Sequence, residues 1–180
     1  MPKKLSLAEQ KKRAARIKLV LTDSDGVLTD TGVYYSEQGE AFKRFSIRDG
    51  MGVERLRNLV GIETAIITGE ESGSVKKRAE KLKLPFLYLG IKDKRACLER
   101  ILQETNLQLE NLAYIGDDMN DWEILHAIGE KGLTAAPSDA LPAIRAIVHY
   151  VCKVRGGYGA FRDFAERLLY LRGKKSAMQP

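Results

Sequence analysis

Short apolar runs closed by Asp, Gly or Thr alternate along the chain with longer amphipathic stretches. Leu19-Val20-Leu21 and the runs at 64–67, 86–89, 112–115, 132–135 and 148–151 have the length of buried strands. Between and after them, residues 72–83, 94–104, 121–128, 140–146 and 160–171 carry helical spacing, the last behind a Gly-rich turn at 156–159. Strands alternating with helices over short connections predict a parallel sheet covered on both faces. Two segments depart from this order. Residues 6–16 predict a helix with Ser6 as cap and Glu9 as its capping-box partner. Residues 33–46 predict a β-hairpin turning through S-E-Q-G, followed by Arg48-Asp49-Gly50 and a helix over 51–59. The expected fold is α/β: a Rossmann-like three-layer sandwich with a parallel sheet and a small β-hairpin flap. One domain is expected over 1–180, with a helical extension at 1–16 and a turn, helix and tail at 156–180.

In such a sheet the chemistry gathers where strands end at their carboxyl side. The first strand runs into Asp23 and Asp25, one residue apart and followed by Gly26. The second runs into Thr68-Gly69, and the fourth into Gly116-Asp117-Asp118. Lys94 opens the helix after the third. Each has an ordinary reading, since Asp and Gly make turns, Thr caps helices and lysines face water. Together they describe one crevice. Crowded carboxylates there repel each other unless a cation or a proton intervenes, which asks for a divalent metal, a shared proton, or both. A calcium loop is excluded, because the further Asp or Asn and the closing Glu are missing.

Composition changes this picture little. With 44% hydrophobic and 30% charged residues the chain is globular in character, and no apolar run is long enough to cross a bilayer. Residues 1–16 are basic but lack a secretion signal's apolar core, so a cytoplasmic protein is expected. Cys97 and Cys152 fit reduced, buried thiols. The net charge of +6 is scattered, with clusters only at the ends and little aromatic interleaving, so nucleic acid is not the expected partner. His126 and His149 are read as structural or surface residues, and Tyr114 and Trp122 as core.

The motifs D-S-D-G-V-L-T-D, I-I-T-G, a lysine, and Y-I-G-D-D-M-N-D, in that order, resemble the haloacid dehalogenase superfamily of phosphohydrolases. The resemblance implies that Asp23 attacks phosphorus to form an aspartyl-phosphate, and that Asp25 is the general acid and then the base. It implies that Thr68 and Lys94 hold the phosphoryl oxygens, and that Asp23, Asp117 and the main-chain carbonyl of Asp25 bind Mg²⁺. Asp118 and Asp121, expected on one helix face, would complete the metal site. Asp25, pressed by neighbouring carboxylates, is expected to hold a proton near neutral pH.

The segments between these motifs are too short for the cap domain many relatives carry. With Arg48-Asp49-Gly50 and G-G-Y-G-A-F-R-D, the chain resembles the cap-less phosphatases of 2-keto-3-deoxy sugar acids, which work in the making of cell-surface sugars. That resemblance implies a homotetramer in which Gly156, Gly157, Gly159 and Arg162 help to close a neighbour's site. It also implies a substrate carboxylate held near Arg48, Asp49 and Gly50. The eight-carbon enzymes, acting on 3-deoxy-manno-octulosonate 8-phosphate, usually have Arg after T-G. Here Glu70 follows Gly69, with Arg78 and Lys81 downstream, which resembles the variant acting on nine-carbon acids such as 2-keto-3-deoxynononate 9-phosphate. Two other readings stay open: a phosphatase of another small ester, and a non-catalytic module binding nucleic acid or a sugar-activating enzyme.

Overall fold

The computed structural model describes residues 5–175; the basic pair Lys3–Lys4 and the last five residues of the tail lie outside the described residues. A six-stranded parallel sheet forms the middle layer. It comprises β1 (Leu19–Thr22), β4 (Glu63–Ile67), β5 (Phe86–Tyr88), β6 (Leu112–Ile115), β7 (Leu133–Ala136) and β8 (Tyr150–Val151), in the spatial order β5-β4-β1-β6-β7-β8. β1 pairs in register with both β4 and β6, Thr22 standing opposite Ile66 on one side and Ile115 on the other. β1, β6 and β7 are buried along their whole length, which is why they read as continuous apolar runs rather than alternating ones.

Successive residues of each strand face opposite layers. Val20, Ile66 and Ala113 pack against α1 (Leu7–Ala14), α2 (Ile47–Val60), α3 (Gly73–Leu82) and α7 (Ala160–Leu171). Leu19, Leu21, Ala65 and Tyr114 pack on the other face against α4 (Lys94–Thr105), α5 (Trp122–Gly129) and α6 (Pro142–Ile147). From β1 the chain builds outward through β4 and β5, then returns to the other side of β1 to begin β6. The carboxyl ends of β4, β1 and β6 therefore adjoin at the point where the winding reverses, the place an open α/β sheet offers a ligand. No helix among the described residues is long and apolar enough to cross a membrane.

The hairpin is a separate two-stranded sheet, β2 (Val33–Ser36) and β3 (Gly39–Lys43), with a register shift between Tyr34 and Tyr35. The helix that follows starts at Ile47, not at Met51. Ser46 caps it by accepting from the Arg48 amide at 3.1 Å, so Arg48, Asp49 and Gly50 form its first turn. Glycines at 50 and 52 are tolerated in a helix because neighbours press on both: a β-carbon at Gly52 would lie 3.1 Å from the Arg162 Cα, and one at Gly50 2.8 Å from the Arg78 guanidinium. Ser6 caps α1 as expected, but Glu9 turns to Arg13 at 3.5 Å instead of closing a capping box.

The Gly-rich turn packs inside its own chain. A β-carbon at Gly156 would fall 1.9 Å from the Gly26 carbonyl oxygen, and one at Gly157, at φ +69°, 2.5 Å from the Asp30 amide nitrogen. Gly157 N–H donates to the Val27 carbonyl at 2.9 Å. The turn is thus a backbone-to-backbone support beneath the loop that carries Asp23 and Asp25. Gly156→Ala is expected to lower stability by about 1–3 kcal/mol through overpacking. Thermal melting reads this loss, and an unchanged Tm would show that the turn does not bear on the loop.

Candidate active site

Asp23 follows β1 directly. Its Oδ1 accepts from the Ser24 amide at 2.7 Å and its Oδ2 from Lys94 Nζ at 2.9 Å. Lys94 is the first residue of α4, capped by Asp93, and is 1% exposed. A cation at a helix N-terminus opposes the dipole. What holds it is a second carboxylate, Asp121 Oδ1, at 2.6 Å. Burial pulls the Lys94 pKa down, but the charges of Asp23 and Asp121 outweigh it and leave the ammonium above its usual range.

Asp121 is the hub of the cluster. Its Oδ1 also accepts from the Tyr114 hydroxyl, and its Oδ2 accepts from the amides of Asp117 at 2.8 Å and Asp118 at 3.3 Å. A turn of 3₁₀ helix, Met119–Asp121, makes this possible by folding Asp121 back beneath the amides at the end of β6. The same turn separates the two residues expected on one helix face: Asp121 is buried, whereas Asp118 is exposed and accepts from the Met119 amide at 2.6 Å.

Asp117 closes the arrangement. A β-carbon at Gly26, whose φ is +84°, would lie 2.0 Å from Asp117 Oδ2, so only glycine lets this carboxylate approach the Asp23 loop. Carboxylate oxygens of Asp23, Asp117 and Asp121 lie within 4.8 Å of one another. Burial, and then the charge of Asp121, push Asp23 up to about 7 despite Lys94. Burial, and then the charges of Asp23, Asp121 and Asp118, push Asp117 up to about 8. Asp117 Oδ1 is buried without a hydrogen-bond partner. An orphaned acceptor in a crowded, all-oxygen cluster fits a hard divalent cation such as Mg²⁺.

Thr68, buried at the end of β4, accepts from the Glu70 amide at 3.3 Å and keeps its own proton to donate. Asp23, Asp25, Thr68, Gly69, Glu70, Asp117 and Asp118 line one cavity of about 210 Å³, together with Thr31 and Asn120. Asp25 is not crowded by carboxylates as expected. Both its oxygens lie 2.8 Å from Lys43 Nζ, and Thr29 Oγ1 donates to it at 3.2 Å. The crowding falls on Asp23 and Asp117 instead.

The residues read as substrate-binding are not all brought together. Glu70 pairs with Lys92 at 3.2 Å rather than with Arg78 or Lys81. Arg78 turns inward, donating to the Ser46 carbonyl at 2.8 Å, while Lys81 is exposed on α3, and neither lines the cavity. Arg48 is exposed. Asp49 is buried and accepts from the Arg162 amide at 2.9 Å at the start of α7, and burial pushes it up to about 6 despite that bond. Arg162 pairs with Glu166 at 2.8 Å. Sequence reasoning passed over Lys43, for which an exposed hairpin gives no signal. It took Tyr114 as core, and its ring is core, but its hydroxyl fixes Asp121. Cys97 and Cys152 are buried and free, as expected.

Residues 89–156 match the haloacid dehalogenase-like hydrolase family. Over 162 residues the chain is 38% identical to the 3-deoxy-D-manno-octulosonate 8-phosphate phosphatase of Yersinia pestis, covering 90% of this chain and 84% of that one. The cobalt-bound deoxy-D-mannose-octulosonate 8-phosphate phosphatase of Haemophilus influenzae superposes with a TM-score of 0.86 at 33% identity, covering 93% of this chain and 96% of that one. The 3-deoxy-D-manno-octulosonate 8-phosphate phosphatase of Moraxella catarrhalis, solved with magnesium, phosphate and its sugar acid, superposes at 0.85 with 32% identity, covering 93% and 94%. The chain thus belongs to the haloacid dehalogenase-like hydrolases, in the family of the 3-deoxy-D-manno-octulosonate 8-phosphate phosphatases, and is a phosphoric monoester hydrolase.

Proposed function

We propose that this enzyme hydrolyses the phosphomonoester of 3-deoxy-D-manno-octulosonate 8-phosphate by way of an aspartyl-phosphate on Asp23. The observation that carries the reading is the set of Asp23, Asp25, Thr68 and Asp117 around one cavity with Lys94 bound behind Asp23, in a chain 38% identical to an enzyme named for that reaction. An Asp23 oxygen attacks phosphorus while the bond to the sugar oxygen breaks, and the Asp25 carboxyl gives that oxygen its proton. Asp25, now a carboxylate, takes a proton from water. The water oxygen attacks phosphorus, the bond to Asp23 breaks, phosphate leaves, and Asp25 is protonated again. Thr68 and the Gly69 backbone orient the phosphoryl oxygens, and Lys94 offsets charge on Asp23. Asp23, Asp117 and the Asp25 carbonyl would hold Mg²⁺, with Asp121 and Asp118 behind them. The ion supplies the charge that relieves the crowded carboxylates and the phosphoryl group.

A second reading, the nine-carbon acid 9-phosphates, is favoured by Glu70 at the cavity wall. We further propose a cytoplasmic homotetramer. Tyr34 and Phe42, stacked at 4.5 Å, and Tyr35 all face outward from the hairpin, which supports cover by a neighbouring subunit.

Phosphate release from eight- and nine-carbon 2-keto-3-deoxy acid phosphates ranks the substrates, and turnover of neither overturns both readings. Asp23→Asn is expected to abolish turnover while the protein still melts cooperatively; wild-type rates would remove the nucleophile. Glu70→Arg is expected to move the ratio of the two substrates toward eight carbons, and an unmoved ratio makes Glu70 a bystander. The metal reading has a thermal signature. Asp23 at about 7 and Asp117 at about 8 bind protons in the folded, metal-free protein over a range where the unfolded chain, near 3.8, has released them. Stability in EDTA should therefore fall as pH rises from about 5 to about 8. Mg²⁺ should raise the Tm most at the upper end, and Asp117→Asn should remove most of that gain. A magnesium effect equal at both ends would contradict the carboxylate site.

A further inference from the structure

Lys43 ends the second strand of the hairpin. Among the residues of β2 and β3 it is the one that is buried, with its side chain 1% exposed. This is an unusual place to bury an ammonium. Taking a lysine out of water is unfavourable unless a partner compensates, and an apolar side chain would anchor a hairpin better. The hairpin already has other anchors: Ser72 donates to Glu40, and Arg44 donates to Asp30 at 2.8 Å and to the Gly157 carbonyl at 3.0 Å. Attachment alone therefore does not call for a lysine at this position. Its Nζ lies 2.8 Å from both Asp25 oxygens and 3.4 Å from Glu40 Oε2. Consecutive residues Lys43 and Arg44 thus grip Asp25 and Asp30, the two ends of one loop.

We propose that Lys43 is a positioning residue of the phosphatase, fixing the Asp25 carboxyl group in the cavity so that its proton meets the leaving oxygen. The inference rests on the reading of Asp25 as the proton donor. An Asp side chain has two free torsions, and Thr29 alone holds one oxygen at 3.2 Å. The two-point contact from Lys43 sets the plane of the carboxyl group. Glu40, bonded to Ser72 at the cap of α3, holds Lys43 from behind. The flap thereby contributes to the chemistry from one side chain.

The leaving group supplies the test. A sugar alkoxide must be protonated as it departs, whereas p-nitrophenolate leaves without a proton. Steps up to cleavage of the ester bond are reported by kcat/KM. The ratio of kcat/KM for 3-deoxy-D-manno-octulosonate 8-phosphate to that for p-nitrophenyl phosphate is therefore the readout. Lys43→Met, which fills the space without charge, and Lys43→Gln, which keeps a polar group should the apolar one not be accommodated, are expected to lower it roughly tenfold or more. Lys43→Arg, which keeps a cation facing the carboxylate, should restore most of it. Arg44→Gln removes a neighbouring hairpin anchor and should lower the Tm with the ratio unmoved. Equal losses on both esters for the Lys43 variants, or the same fall in ratio for Arg44→Gln, would reduce Lys43 to an anchor and overturn the inference. Asp25→Asn separates the two failures. If it lowers the ratio and the Lys43 variants do not, only the inference falls; if it does not lower the ratio, the donor reading of Asp25 falls with it.

Discussion

The structure of this site depends on one buried ammonium, Lys94, held between Asp23 and Asp121. Three carboxylates around one lysine, were all of them ionised, would leave the cluster short of positive charge. The shortfall lands on Asp23 and Asp117, the two groups that burial and mutual repulsion push upward. Asp121, by contrast, has both oxygens engaged, by Tyr114, two backbone amides and Lys94. Lys94 and Asp121 thus form a closed structural pair, while Asp23 and Asp117 keep unmet demand for a cation. Buried ion pairs are poor contributors to net stability. What this one contributes is orientation: it points Asp23 at the cavity and leaves its neighbour waiting.

Backbone proximity carries that arrangement across the fold. Asp117 reaches the Asp23 loop because Gly26 has no side chain, and the loop is supported from below by Gly156 and Gly157. Asp49 bonds the start of α7, the helix that follows the Gly-rich turn. Gly156, Gly157 and Asp49, read at first as contacts for a neighbouring subunit or a substrate, are therefore engaged within their own chain, against the catalytic loop and α7. Arg48, at the first turn of α2, and Lys81, on α3, are exposed instead.

The parts of the site legible in the sequence were those fixed by topology. A residue after a parallel strand must emerge at the carboxyl edge, so Asp23, Thr68 and Asp117 were found from strand ends, and Lys94 from the start of a helix. Contacts set by a few residues of irregular backbone were not legible. The 3₁₀ turn at 119–121 sends Asp121 under the chain instead of along a helix face. The helix expected from Met51 begins at Ile47, because close packing of Gly50 against Arg78 and of Gly52 against α7 overrides the low helix propensity of glycine. Glu70 finds Lys92 through a loop adjacent in space, a pairing that spacing along α3 does not report. Lys43 carries no signal, because a hairpin exposed on nearly all positions has no periodicity to mark its buried residue.

A two-stranded hairpin has little stability of its own. Here its inward contacts are polar, Glu40 to Ser72, Lys43 to Asp25 and Arg44 to Asp30, and its aromatic rings face outward. That is the reverse of an ordinary flap, which buries its apolar side against its own domain. Such contacts are strong only where they are shielded from water, and Lys43 is the most shielded of them. The partner it meets there is a group at the reaction centre. The hairpin therefore meets the reaction centre through the Lys43–Asp25 contact, while Glu40 and Arg44 tie it to Ser72 and Asp30 away from that centre.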